Sequence, residues 1–285
     1  MPLPAGLRLR DAGPSDIAAI GELRESAGWT THEWALRASI EPPHARCFVV
    51  TDASDGLVAV GSGISYGTMG HVGNMVVVEA YRRRGIGAAV LEAVIDFLEA
   101  RGCTRIELFA TPSGRPLYER HGFALTGPSA RVSVPRDAAL DGDESLVVGD
   151  ATDLDALTAY DAPRFGGDRR PLLAMMHADD ACPVLVARAG DAISGYLWLR
   201  PDGPRVGPLL ADDPAIAARL LRAAFERLPD AEELTLNLPM DNRPGARWLR
   251  SLGVTLEPWD GRMARGPHVA RREDTIYANL VGALG

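Results

Sequence analysis

The apolar positions of this chain switch between a period of two and a period near three and a half, and the switches mark its elements. "LRLRDAGPSDIAAIGELRESAG" reads as a short strand, a turn carrying Pro14, and a helix beginning near Ser15 and Asp16. Ile17, Ile20 and Leu23 fall on one face of that helix. "THEWALRASI" is a second short helix, and "CFVVTDASDGLVAVGSGISYG" is two strands joined through Ser54-Asp55-Gly56. A dense apolar strand then runs to about Glu79. After a basic turn a helix is expected from about Gly87 to Ala100, with Ile86, Val90, Val94 and Leu98 in register, Leu91 and Ile95 beside them, and Gly102 as its stop. "TRIELFA" is a strand, "GRPLYERHG" a short helix and "RVSV" a further strand.

Past the polar connector "PRDAALDGDES" the plan restarts. "VVGDATDLDALTAYD" echoes the opening, "PVLVARAGDAISGYLWLR" is again a hairpin, and strand, turn, helix, strand and short helix follow to "GARWLRSLGV". Setting Gly253-Val254 against Gly122-Phe123 aligns "GARWLRSLG" with "GRPLYERHG". The period of roughly 130 residues suits tandem domains rather than a solenoid. At 285 residues, two domains are expected, 1–142 and 143–285.

A net charge of −8 argues against a general nucleic-acid or anionic-membrane binder. The chain contains no lysine, so its 30 basic residues are all arginine. That excludes a Schiff-base lysine and the Lys of a phosphate-binding P-loop. Cys47, Cys103 and Cys182 form no C-x-x-C pair and read as small hydrophobes rather than disulfide or zinc ligands; no metal is expected. The N-terminal stretch lacks the apolar run of a signal peptide and nothing approaches membrane-spanning length, so a cytoplasmic protein is expected.

The densest chemistry lies in "VVVEAYRRRGIGAAV". Gly85 and Gly87 free successive backbone N–H groups at a helix start, where unsatisfied donors and a partial positive charge favour an anion, with Arg82, Arg83 and Arg84 beside them. An ordinary glycine-containing turn with solvated arginines is the plainer alternative. A Rossmann turn is excluded because Val90 stands where a third small residue is needed.

The R-x-x-G-x-G run, the strand order over about residues 7–135, and "PLYERHGF" some thirty residues on resemble the GNAT superfamily of acyl-CoA-dependent N-acetyltransferases. The resemblance implies an α/β fold: tandem GNAT domains, each a mixed, mostly antiparallel sheet flanked by helices. It implies acetyl-CoA as co-substrate, with Val76, Val77 and Val78 along the pantetheine arm past a strand bulge. Arg83, Arg84, Gly85, Ile86, Gly87 and Ala88 would surround the pyrophosphate. Thr111 stands where many relatives carry an Asn that touches the cofactor. Tyr118 occupies the place of the tyrosine that protonates the departing thiolate; a packed core tyrosine is the alternative.

The general base is not legible. Asn74, on the strand before the bulge, cannot titrate and is expected at the acceptor; His71, Glu22 and Glu25 are the titratable neighbours in sequence. In the second half "LLADDPAIAARLL" replaces the cradle with two carboxylates and Leu249 stands at Tyr118, so one acyl-CoA site per chain is expected.

That half resembles a degenerate C-terminal GNAT-like domain through "YDAPRFGGDRRPLL", "RVGPLLADD", "WDGRMARG" and "IYANLVGALG", and is expected to wall the substrate pocket. Asp161 and Phe165 would contact substrate if residues 161–169 form a binding loop; a helix terminus with an internal salt bridge is the equal alternative. "DGRMARG" is a possible second wall of that pocket. Trp29, Trp34 and Trp198 could line a cleft, with core packing the alternative. The function expected is acetyl transfer to a primary amine of a small molecule by a monomer or homodimer. An acyl-CoA-binding regulatory protein without turnover and acetylation of a protein amine are the alternatives.

Overall fold

The computed structural model describes residues 3–142, 145–178 and 182–285; Asp143 and Glu144, at the expected domain division, lie outside them. The chain forms two compact units. The first comprises Met1–Leu125, Met263–His268 and Gly282–Gly285, the second Thr126–Arg262 and Val269–Val281. The division does not follow the expected 142/143 boundary: "RVSV" belongs to the second unit, and two short segments near the chain's end belong to the first.

The first unit contains β1 (Arg8–Asp11), α1 (Ile17–Ser26), α2 (Glu33–Ile40), β2 (Ala45–Thr51), β3 (Leu57–Tyr66), β4 (Met69–Val77), α3 (Ile86–Ala100), β5 (Arg105–Ala110) and α4 (Arg115–Arg120). Strands β1 to β4 pair antiparallel in sequence order and β5 joins β4 in parallel. Period-two alternation gives the sheet two apolar faces. Val50, Ala59 and Val72 pack with Val90, Leu91, Val94 and Leu98 of α3. Val49, Val60 and Val76 pack with Ile20, Leu23 and Leu36 of α1 and α2. Burying each such side chain contributes roughly 1.5–3 kcal/mol.

The late segments join this unit through specific contacts. Met263 is buried in the α3-side core. The Tyr66 hydroxyl donates to the Leu284 carbonyl at 2.6 Å. Such pairings, separated by some two hundred residues, leave no periodic mark in the sequence.

The second unit contains most of β6 (Ala124–Pro135), β7 (Val147–Asp150), α5 (Leu154–Phe165), α6 (Arg170–His177), β8 (Val184–Ala189), β9 (Ala192–Leu199), β10 (Val206–Ala211), α7 (Pro214–Arg227), β11 (Glu233–Pro239), α8 (Arg243–Ser251), most of β12 (Glu257–Arg265) and β13 (Ile276–Ala278). One sheet has the order β13-β10-β9-β8-β7; β6 and β11 pair antiparallel. Among the described residues no helix is long and apolar enough to cross a membrane.

Candidate active site

The site is built where β4 breaks regularity. Gly73 stands opposite Ser62 and Val76 opposite Val60, so Asn74 and Met75 both face Gly61, which makes a β-bulge. Asn74 takes φ +55°, the left-handed region that Asn enters more readily than other non-glycine residues. Pairing of β4 with β5 runs only from Met69↔Arg105 to His71↔Glu107, although β4 continues to Val77 and β5 to Ala110. The two strands therefore part, and the backbone of Val76 and Val77 has no β5 partner along that edge. On the opposite edge Val78 N–H donates to the Val58 carbonyl at 2.9 Å.

Beyond β4 the chain turns into α3, which starts at Ile86, one residue before the expected Gly87. Arg83 has φ +60° and Gly85 φ +81°, and no side chain caps the helix. The first bond from the helix back to its cap is Ala89 N–H to the Gly85 carbonyl, at 3.1 Å. The N–H groups of Ile86, Gly87 and Ala88 thus precede the helical ladder and point out of its N-terminus. Arg82, Arg83 and Arg84 are exposed and form no ion pair among the described residues. The Arg84 guanidinium sits 5.4 Å from the Tyr81 ring centroid, and the Tyr81 hydroxyl donates to Asp52 at 3.1 Å. This arrangement concentrates positive charge and free donors at one point, which suits phosphate oxygens.

Gly87 supplies a test of fit for such a group. It lies inside a helix, where glycine costs up to about 1 kcal/mol relative to alanine. A Cβ there would meet only Leu117 and Val77, each at an ordinary 3.5 Å. Nothing in the protein requires glycine at this position, whereas a ligand approaching the backbone would. The same contacts bring α3, the end of β4 and α4 together.

Helix α4 carries Tyr118, buried in the α3-side core with its ring edge-on to Phe123 at 6.1 Å. Thr111, at the end of β5, is half-buried; its hydroxyl contacts Ser113 Oγ at 3.1 Å and accepts from Gly114 N–H at 3.3 Å, so it shapes the entry to α4.

On the other face of β4 lies a buried polar cluster that the sequence reading did not find. Asn74, 3% exposed, accepts from Arg24 and donates to Ser39 Oγ at 3.2 Å and to Ser62 Oγ at 2.9 Å. Its amide is therefore committed to the protein, and the expectation that it contacts substrate directly is corrected. Arg24, 9% exposed, also donates to the Thr30 carbonyl at 2.9 Å and lies 5.4 Å from the Trp29 ring centroid. A signal was present: Arg24 falls seven residues after Ile17 and four after Ile20, on the apolar stripe of α1.

The titratable candidates divide clearly. His71 is buried, its Nε2 is 3.0 Å from the Gly282 carbonyl, and burial lowers its pKa. It reads as a structural histidine. Glu22 and Glu25 are exposed on α1. Burial pushes the Cys47 thiol up to about 12, so it is no nucleophile at neutral pH.

The family model for the acetyltransferase (GNAT) family matches residues 17–123, and one for an acetyltransferase (GNAT) domain matches residues 157–278. The chain is 30% identical to a mycothiol acetyltransferase of Clavibacter sepedonicus, over 64% of this chain and 68% of that one. The chain belongs to the GNAT acetyltransferase family. It is an acyltransferase of tandem type, and acetyl transfer from acetyl-CoA is that family's chemistry. It is also 29% identical to the uncharacterized N-acetyltransferase YitH of Bacillus subtilis, over 72% of this chain and 73% of that one. A candidate acetyltransferase from Pyrococcus horikoshii shares the fold, with a TM-score of 0.81 at 22% identity, covering 100% of this chain and 98% of that one.

The second GNAT unit corrects two further expectations. Residues 161–165 are the last turn of α5, not a loop. Asp161 is fully buried, ion-paired with Arg169, and accepts from the Tyr196 hydroxyl. Phe165 is buried and stacks under the Arg169 guanidinium, 3.9 Å from its ring centroid. Neither is available to a substrate. The helix-terminus alternative is the one that holds, because a carboxylate and a guanidinium eight residues apart can neutralise each other inside a core. "DGRMARG" lies in β12 except for its last residue, Gly266. Within the second unit its Arg262 pairs with Asp241 and Glu273; within the first, its Arg265 pairs with Glu99 at 2.8 Å. Trp198 is a core residue. Trp29 and Trp34 are half-buried, Trp29 beneath Arg24.

Proposed function

We propose that the first unit binds acetyl-CoA and transfers its acetyl group to a primary amine of a small molecule. The observation that carries this is the convergence at Gly87 of an uncapped helix N-terminus with a strand edge that its neighbour has left. Backbone N–H groups from Arg83 to Ala88 hold the pyrophosphate, reinforced by the three arginines. The freed edge of Val76, Val77 and Val78 binds the arm by strand-like hydrogen bonds, and Thr111 closes the far side. The acetyl thioester is the activated acyl donor that such a ligand supplies.

The residues of this chain then have defined tasks. A backbone N–H beside the bulge donates to the developing oxyanion. Tyr118 delivers a proton to the departing sulfur from the α4 side. The amine must arrive neutral, because an alkylammonium with a pKa near 10.4 has no lone pair to attack. Among the described residues His71 is buried against the Gly282 carbonyl and Glu22 and Glu25 are exposed on α1, which favours deprotonation through water.

The test is release of free thiol from acetyl-CoA across a panel of small amines. Tyr118→Phe should lower turnover roughly 10²–10⁴-fold while acetyl-CoA affinity holds. Acetyl-CoA binding without turnover on any amine would leave a regulatory module instead. Unchanged turnover in the variant would return Tyr118 to core packing.

A further inference from the structure

Among the described residues five arginines are buried: Arg24, Arg105, Arg169, Arg200 and Arg262. Four of them have a carboxylate in contact, namely Glu107, Asp161, Asp202 and Asp241. Arg24 alone does not. Among the described residues its partners are the Asn74 amide, the Thr30 carbonyl and the Trp29 ring, and its buried Nε–H has no acceptor. The partial charges of an amide, a carbonyl and an indole face solvate a guanidinium incompletely, and the missing term is a negative charge.

The position matters as much as the deficit. Asn74 is the left-handed residue of the bulge, two residues before the strand edge to which the arm of acetyl-CoA is assigned. Ser39 and Ser62 fix its amide on one side, so its oxygen holds Arg24 on the other. The Thr30 contact anchors the same guanidinium to the segment between α1 and α2. Arg24 is thereby held rigidly beside the bulge, on the sheet face opposite α3.

We infer that Arg24 is the binding group for an anion carried by the acceptor: the substrate is an amine that also bears a carboxylate or a phosphate monoester. This rests on the acetyl-transfer reading above and narrows its substrate class. The guanidinium keeps three N–H groups beyond the two already used, enough for a two-point contact with either anion. Asn74 acts through Arg24 as a positioning residue.

Matched acceptors test the inference: α-amino acids against their amides, and an amino sugar against its phosphate monoester. Wild-type protein should prefer the anionic member of at least one pair, and which pair distinguishes carboxylate from phosphate. Arg24→Met, similar in length and uncharged, should raise KM for that acceptor roughly ten- to hundredfold and leave KM for acetyl-CoA unchanged. Arg24→Lys should recover part of the preference. The melting temperature of Arg24→Met should change little, since the variant removes a buried charge without a counter-ion but leaves the buried Asn74 oxygen without its donor. Inorganic phosphate should raise the melting point of wild type more than that of the variant.

Equal use of neutral and anionic acceptors, or a change in acetyl-CoA KM in place of acceptor KM, would overturn the assignment. So would a variant that melts earlier with its selectivity intact, because Arg24 would then be a structural residue. If no amine supports turnover at all, the acetyl-transfer reading fails by itself. The anion site is then decided by the difference in phosphate melting shift between wild type and Arg24→Met, whose absence would overturn it.

Discussion

The same strand–turn–helix unit occurs once in each half of the molecule, as β4–α3 and as β10–α7, and its helix begins differently in the two. Helix α3 is preceded by Gly85 in the left-handed region, with no capping side chain. Helix α7 starts at Asp213, whose carboxylate accepts from Ile216 N–H at 2.9 Å, and Pro214 at its first position has no N–H to offer. The preceding Asp212 is paired with Arg164 and Arg272. The strands differ in the same sense. The outer edge of β4 is released by β5 after His71, whereas β10 has β9 on one edge and β13 on the other. One copy therefore leaves donors open at both the helix and the strand, and the other satisfies them internally. A phosphate-bearing ligand with an extended arm would need both to be open, and the two features are open together in one copy and closed together in the other.

The strongest way to break this comparison is Gly87→Glu. A Cβ meets only ordinary contacts there, and a carboxylate in the first turn of a helix stabilises it, so the fold should hold or gain up to about 1 kcal/mol. Acetyl-CoA binding should nonetheless disappear in calorimetry, from one site per wild-type chain to none. A second site in wild type, or undiminished binding in the variant, would mean that the open helix N-terminus is not the site.

A smaller effect should come from the closed copy. Asp161→Ala leaves Arg169 buried without its carboxylate, and a loss of about 3–5 kcal/mol in denaturant unfolding is expected. Below its melting temperature the variant should bind acetyl-CoA as wild type does. A raised acceptor KM with unaltered stability would restore Asp161 as a substrate contact.

The smallest effect sharpens the contrast. Asp213→Ala removes the cap of α7 and should cost about 1 kcal/mol. It should create no acetyl-CoA site, because Pro214 still lacks an N–H and β13 still covers the outer edge of β10. New binding would show that the carboxylates alone had silenced this copy.

How much of this was legible depended on the range of the interaction. The turn from Arg82 to Ala88 could be read because glycines, arginines and a helix start act on one another within a few residues. The α1 stripe was read through its apolar members, yet Arg24 at the same helical phase passed unnoticed. Residues 161–169 offered charge, an aromatic and glycines in equal support of a loop or a helix end; only burial against Tyr196 chose between them.

The sequence by itself determined the tandem α/β plan, the GNAT resemblance, and which copy carries the glycine- and arginine-rich turn. Each is encoded in local period, in turn residues, or in order along the chain. Tertiary structure alone decided that β4 parts from β5, and that residues from the chain's end complete the first unit. It also decided that Arg24 meets Asn74, fifty residues away, without a carboxylate. These outcomes are set by which groups are buried together. Whether a buried charge finds its counter-charge is a property of the packed neighbourhood, and no local pattern records it.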